Sequence, residues 1–193
     1  MIRLLLIFIS CQISANTFCQ SNDLKILEKI NVHRNRNYDN FFKTVTNADV
    51  YVNFGTAIAV TAVGYINNDK ITKQQGYNLL ATQITTALAT QILKKIIKRN
   101  RPFITYSQIE PYKIETGYSM PSGHTSSVFA TATTVALLSK KWYYITPAFA
   151  YAGLVGYSRM HLGVHYPTDV LAGATLGVGS AIATRWLNKK IWK

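Results

Sequence analysis

Residues 158–169 read Ser158-Arg159-Met160-His161-Leu162-Gly163-Val164-His165-Tyr166-Pro167-Thr168-Asp169. The stretch separates two apolar segments, about 144–157 and 167–188, whose composition predicts helices. Proline is favoured at the first helical position, so Tyr166-Pro167 predicts a helix start. His165 then stands just outside the helix, and Asp169 falls in its first turn, close enough to reach back. A carboxylate bonded to one imidazole nitrogen fixes the tautomer and frees the other nitrogen to attack. Arg159 offers a planar fork of N–H groups for an oxyanion. Ser158 reads as structural. His161 lies four residues before His165, a spacing that fits a zinc pair. No third ligand is evident and no Glu follows it, so no metal is expected and His161 is read as a wall or supporting residue.

Moving toward the N-terminus, Pro121-Ser122-Gly123-His124 immediately precedes a helical run over about 123–139. Free N–H groups at a helix start bind anions, and the dipole favours negative charge there. Gly123 lets the backbone approach an oxyanion closely, Ser122 adds a hydroxyl donor, and His124 is placed to hand a proton to a leaving group. Taken alone, these four residues also fit a plain helix cap with an incidental histidine. A third cluster lies upstream: Lys94, six residues, then Arg101-Pro102. Cations at a helix end complement its dipole, and Lys95, Lys98 and Arg99 are read that way. Lys94 and Arg101 are assigned to the anion site.

The remainder also reads as helix, with no long alternating stretch that would predict a sheet. Leu24, Leu27 and Ile30 make a stripe within residues 23–31, and Phe41, Phe42 and Val45 follow an Asn- and Arg-rich break. Residues 50–66 are an uncharged apolar run. Ile71-Thr72 begins another segment, and residues 77–97 form a long helix. Residues 102–122 read as a loop punctuated by Pro102, Pro111, Gly117 and Pro121, with Glu110 and Glu115 in it. The fold expected is an all-α compact bundle of about six helices.

The uncharged runs are about 15 to 20 residues long, close to the minimum for crossing a bilayer, and rich in Thr, Gln, Ser and Gly. A bundle resting on a membrane and a thin integral bundle both fit. The expectation is several short, partly membrane-embedded helices. The chain carries 21 Lys+Arg against 8 Asp+Glu, a formal charge of +13. Such a balance suits an anionic lipid face, a phosphorylated substrate or nucleic acid. No nucleic-acid-binding signature occurs, and the basic residues cluster near 94–101 and the C-terminus, so nucleic acid is set aside.

Met1-Ile2-Arg3, the apolar run from Leu4 to Ile9 and the small residues Ser14, Ala15 and Thr17 form the pattern of an export signal over residues 1–19. An uncleaved anchor is the alternative. Residues 20–193 then form one domain. Both cysteines, Cys11 and Cys19, fall in the signal segment, so the mature fold is expected to hold by packing without a disulfide.

The three clusters together resemble the type-2 phosphatidic acid phosphatase superfamily, which includes vanadium haloperoxidases and bacterial acid phosphatases. Its pattern is Lys, six residues, Arg-Pro; then Pro-Ser-Gly-His; then Ser-Arg, five residues, His, three residues, Asp. Lys94 with Arg101-Pro102, Pro121 to His124, and Ser158-Arg159 with His165 and Asp169 match at every position. The resemblance implies a hydrolase that needs no cofactor. His165 is then the nucleophile that forms a phosphohistidine, Asp169 its orienter, and His124 the acid and later the base. Lys94, Arg101, Arg159, Ser122 and the Gly123 N–H are the phosphate-binding groups.

The motifs read only a phosphate. Export with a basic, weakly apolar body resembles small exported lipid A phosphatases. The expectation is therefore removal of a 1- or 4'-phosphate from lipid A at the periplasmic face of the inner membrane, lowering surface charge and weakening cationic antimicrobial peptides. Undecaprenyl pyrophosphate, phosphatidylglycerol phosphate and phosphatidic acid are the close alternatives. A vanadium-dependent haloperoxidase and a non-catalytic phosphate-binding protein are the more distant ones.

Overall fold

The computed structural model describes residues 22–191, and every described element is helical. The elements are α1 (residues 22–31), a 3₁₀ turn at Arg36–Tyr38, α2 (Asp39–Asn47), α3 (Asp49–Ile66), α4 (Lys70–Ile97), α5 (Pro102–Thr105), α6 (Gly123–Ser139), α7 (Trp142–His161) and α8 (Pro167–Ile191). This is the expected all-α bundle. The export-signal reading, with Cys11 and Cys19, lies outside the described residues.

Three boundaries differ from expectation. The segments beginning at Ile71 and at residue 77 are one helix, α4. Its start is capped by Asp69, whose side chain accepts from the Ile71 N–H (2.9 Å) and the Thr72 hydroxyl (2.5 Å). Gly76, which interrupts the apolar pattern, is a packing site: a Cβ there would come within 2.0 Å of Thr61 Oγ1 on α3. Helix α7 runs from Trp142 to His161, so Arg159 sits in its last turn. The loop over 102–122 contains the short α5, opened by Pro102 at its first position.

Helix α6 is the centre of the bundle and packs on α8, α7 and α4, while α3 pairs with α4. Val128 and Ala132 of α6 meet Ala152 and Val155 of α7 in the apolar core, with Phe129 and Phe149 edge to face beside them. The α6–α8 contact is close because α8 presents glycines. A Cβ on Gly177 would lie 2.3 Å from the Ser126 carbonyl oxygen and 2.8 Å from the Ala130 nitrogen. Backbone can approach backbone only where a side chain is missing.

The interior is unusually polar and the exterior unusually apolar. Thr82, Gln83, Thr86 and Thr90 of α4 and Thr131, Thr133 and Thr134 of α6 are buried. Ile84, Leu88, Ile92 and Ile96 form a four-residue-period stripe on the outside of α4, each more than half exposed. Inside, Asn53 donates to Ser127 (2.6 Å), Ser127 to Gln83 (2.7 Å), Gln83 to Thr131 (2.7 Å), and Thr131 back to Asn53 (2.7 Å). This closed ring satisfies polar groups that would otherwise be costly to bury. An apolar outer face around a hydrogen-bonded interior is the arrangement lipid as solvent favours. The helical stretch Arg36–Ile66 and the α8 segment Pro167–Lys190 are long and apolar enough to cross a membrane. Trp142, Tyr143 and Tyr144 at the start of α7 and Trp186 near the end of α8 are exposed at the end of the bundle away from the motifs, where amphipathic rings suit a headgroup layer.

Gly177→Ala should lose about 1–3 kcal/mol by overpacking. That corresponds to a fall in melting temperature of roughly 3–10 °C for a chain of this size. Gly179→Ala, where a Cβ meets nothing within 4 Å, should melt like the parent. Thermal melts of both purified variants check this.

Candidate active site

All three motif clusters converge on one end of the bundle. Helix α4 ends there because Lys98 adopts a left-handed conformation (φ 51°) and turns the chain, its N–H returning to the Lys94 carbonyl. Helices α6 and α8 begin there, so two positive dipole ends face the same space. Ser122 is the N-cap of α6 but makes no side-chain cap bond. The first N–H groups of that helix are therefore left without side-chain acceptors. The Ser122 N–H donates to the Asp169 carbonyl (3.0 Å), which ties the start of α6 to the start of α8.

A cavity of about 520 Å³ opens at this end, and Lys94, Arg101, Gly123, His124 and His165 line it. A Cβ on Gly123 would meet only Thr90 Cγ2, at an ordinary 3.7 Å. Protein packing does not demand a glycine there; close approach from the cavity would. Ser122, Arg159 and Asp169 are fully buried behind the lining rather than on it. The Ser122 hydroxyl accepts from Thr125 (2.9 Å).

His165 is held from both sides. Its Nδ1 lies 3.4 Å from Asp169 Oδ2, and its Nε2 lies 3.5 Å from Arg101 Nη1. The same Asp169 oxygen accepts the Tyr166 N–H (2.9 Å), so the carboxylate caps its own helix while it orients the ring. Burial, then the charges of Arg159, Arg101 and Lys94, hold His165 well below the usual histidine range. The ring is neutral at pH 7. With its proton on Nδ1 toward Asp169, the Nε2 lone pair faces the cations. His124 is pushed down to about 4 by burial and by Arg159, against the opposing pull of Glu115.

The cations are engaged by the loop before α6. Lys94 Nζ donates to the carbonyls of Tyr118 and Ser119 (3.3 Å to Ser119). Arg101 donates to the carbonyls of Gly117 (3.1 Å), Thr116 (3.2 Å) and Val164 (3.0 Å). Arg159 donates to Thr46 Oγ1 (3.1 Å), and its buried Nε has no partner. Burial, then the Arg101 charge, lowers Lys94 to about 8.

Four residues that sequence reasoning did not assign complete the site. Arg99, read as a helix-dipole complement, is instead the partner of Asp169: its Nη1 lies 2.8 Å from Asp169 Oδ1. Its Nη2 pairs with Asp23 (2.7 Å), and its plane lies 3.8 Å over the Tyr166 ring. Asp23 in turn accepts the Thr168 N–H (3.0 Å) at the start of α8. Glu115, noted only as a loop residue, bridges Arg101 (2.9 Å) and Arg159. Asp49 is buried at the cavity wall, with Oδ1 unpartnered. No sequence spacing links these residues to the motifs: Asp23 lies 76 positions from Arg99 and 145 from Thr168. His161 faces away from His165 and Asp169: its Nε2 meets Asp39 (2.9 Å), itself held by Arg34 (3.0 Å). That makes it a strut between α7 and α2, in keeping with a supporting role.

A family model described as the PAP2 superfamily matches residues 75–193. The undecaprenyl-diphosphatase of Sulfolobus acidocaldarius is 38% identical over 112 residues, 56% of this chain and 52% of that protein. The lipid A 1-phosphatase of Rhizobium johnstonii is 33% identical over 114 residues, 56% of this chain and 46% of that protein. The chain thus spans about half the length of the curated relatives it matches. The crystal structure of a transmembrane PAP2-type phosphatidylglycerolphosphate phosphatase from Bacillus subtilis superposes with a TM-score of 0.75 at 25% identity, covering 90% of this chain and 87% of that one.

Among the groups outside the long apolar helices, the depressed histidines and Glu115 shape the acid response. An unfolded chain protonates His124 and His165 near 6.5, whereas the native sites resist protonation, His124 until about 4. Between those values the unfolded state binds more protons, so stability falls as pH falls. Glu115 is lowered to about 2: burial opposes this, but Arg159 and Arg101 outweigh it. Its ion pairs contribute above 4.5 and are lost as pH falls from there toward 2. Melting temperature should therefore drop from pH 6.5 to 4, ahead of most carboxylate titration. The double variant His124→Asn/His165→Asn should flatten that limb. A profile flat down to pH 4.5 in the parent would contradict the assignment.

Proposed function

The chain belongs to the PAP2 superfamily, and on that premise we propose that it is a metal-independent lipid phosphatase working through a phosphohistidine. The observation that carries the reading is His165, fixed by Asp169 through Nδ1, with Nε2 turned toward Arg101 in a cavity that also holds Lys94 and His124.

The chemistry follows from the geometry. His165 Nε2 attacks phosphorus as the bond from phosphorus to the lipid oxygen breaks. His124 gives that oxygen its proton. Water then attacks the phosphohistidine, His124 takes a proton from it, and inorganic phosphate leaves with His165 restored. Lys94, Arg101, Arg159 and the N–H groups at the start of α6 offset the charge on the equatorial oxygens. The buried, unpartnered Arg159 Nε supports this, since an unused charged donor is costly unless a ligand completes it. A phosphate dianion among these cations would raise His124 from its depressed value, supplying the acid when substrate arrives.

An amphiphilic substrate fits the surroundings. A second groove of about 590 Å³, lined by apolar side chains of α3, α6 and α7 such as Val60, Val135 and Ala148, reaches Asn53. Asn53 is one turn from Asp49 at the phosphate cavity. The apolar outer face supports a groove that opens to lipid. The preferred substrate is lipid A, at its 1- or 4'-phosphate, on the periplasmic side of a bacterial inner membrane. The net charge of +13 suits a multiply phosphorylated surface, and the similarity to a lipid A 1-phosphatase agrees. A second reading is an undecaprenyl diphosphate phosphatase, favoured by the 38% identical relative.

Phosphate release in detergent with EDTA, from lipid A, undecaprenyl diphosphate, phosphatidylglycerol phosphate, phosphatidic acid and p-nitrophenyl phosphate, decides among them. Lipid A should be preferred, vanadate should inhibit, and His165→Ala should abolish release from every substrate. His124→Ala should lose about 10²–10⁴-fold on alkyl and sugar phosphates, and much less on p-nitrophenyl phosphate, whose leaving group needs little protonation. Preference for undecaprenyl diphosphate would transfer the assignment to it. Activity abolished by EDTA, or equal losses in His124→Ala on all leaving groups, would contradict the mechanism.

A further inference from the structure

Glu115 stands where a phosphate should. One carboxylate oxygen pairs with Arg101 Nη1 (2.9 Å) and the other with Arg159 Nη2, so one anion forks across both arginines assigned to the substrate. The next four residues add further bonds: Thr116 and Gly117 carbonyls take Arg101, and Tyr118 and Ser119 carbonyls take Lys94. A single five-residue segment thus engages every phosphate-binding cation. The carboxyl is drawn down to about 2 by the arginines against its burial, so it is ionised throughout the working range. Glu115 also belongs to the cavity lining rather than to the packed interior. The middle of the segment has room to move, while Ser119, buried and bonded to the Arg99 carbonyl (2.8 Å), anchors its far end. Gly117 is at φ +78°, a conformation that favours glycine, with nothing within 4 Å of where a Cβ would stand.

We propose that Glu115 is a tethered anion in the phosphate position, displaced only by a ligand that carries two or more negative charges, and that it thereby sets the substrate class. This rests on the phosphatase reading above. The surrounding membrane is made largely of phosphodiester headgroups, each with one negative charge on phosphorus. A monoester or diphosphate has about two or more. Expelling Glu115 costs the same for any ligand, so it acts as a threshold. Two phosphate charges against the arginine pair offset that cost, and a single charge does not. The site then ignores bulk phospholipid and opens to terminal phosphates. The carboxylate's return also helps product phosphate leave.

The test uses the full chain in detergent, with calorimetric binding of inorganic phosphate and of diethyl phosphate as the singly charged diester. The parent should bind phosphate and show no measurable uptake of the diester. Glu115→Gln should bind phosphate at least about tenfold tighter, because a competing charge is gone, and should bring the diester into range. Equal or weaker phosphate binding would overturn the proposal, since Glu115 would then be holding the arginines in place. Hydrogen exchange in the parent gives a reading that does not depend on the variant. Saturating phosphate should speed exchange at residues 115–118, and slower exchange there would overturn the proposal. If the parent hydrolyses lipid phosphates while Glu115→Gln binds phosphate no tighter, the phosphatase reading stands and only the role of Glu115 falls. If the parent binds no phosphate at all, both fall.

Discussion

A carboxylate with no exposed surface, Asp169, sits where the chain's distant parts meet. A buried charge is tolerated only if it is paired and hydrogen-bonded. Arg99 supplies the countercharge at 2.8 Å and the Tyr166 N–H a further bond at 2.9 Å. That requirement fixes much else. Arg99 is itself anchored by Asp23 of α1, so the first described helix is clamped to the end of α4. Asp23 also caps the start of α8, and the Asp169 carbonyl receives the Ser122 N–H at the start of α6. The orientation of His165 is therefore a consequence of how four helices are joined, rather than of one side-chain contact. Its 3.4 Å contact with Asp169 is long. The ring is held as much by its surroundings as by that bond.

The bundle that carries the site obeys a different constraint. Its buried residues are rich in threonine and amide side chains, and its exposed faces in isoleucine and leucine. In water this would be a poor design, because exposed apolar area opposes solubility. In lipid the hydrophobic term between helices is largely absent, and close packing with internal hydrogen bonds takes over. The closed ring of Asn53, Ser127, Gln83 and Thr131 and the glycines of α8 are the two devices that do this here. Both lie beneath the end of the bundle that carries the motifs, so the same packing that holds the helices sets the spacing of the motifs.

Much of this was legible in the sequence. The helical segments follow from apolar runs and their breaks, and the three motif clusters, read together from the sequence, lie at one end of the bundle around one cavity. The errors have physical causes. The segments from Ile71 and from residue 77 are one helix, because Gly76 between them, a poor helix former, permits the close approach of α3. Arg99 sits among lysines at a helix end, where dipole complementation is a sufficient local explanation; only the folded chain brings Asp23 and Asp169 to it. Glu115 and Asp49 carry no motif at all. Their significance lies in a cavity assembled from helices far apart in the chain.

The electrostatics of the site favour attack by a neutral imidazole on an anion. Burial, and then the cations crowded around His165, keep its lone pair free at neutral pH. The same cations lower the barrier to negative charge arriving beside it. In the proposed reaction phosphate passes through His165. Rapid acid-free quenching of turnover with a lipid substrate labelled in its phosphate, followed by peptide mapping, tests that step. A transient, acid-labile phosphate should appear on the peptide containing His165 and disappear as inorganic phosphate is released. Turnover with no phosphate on the protein, or with the label on His124 instead, would contradict it.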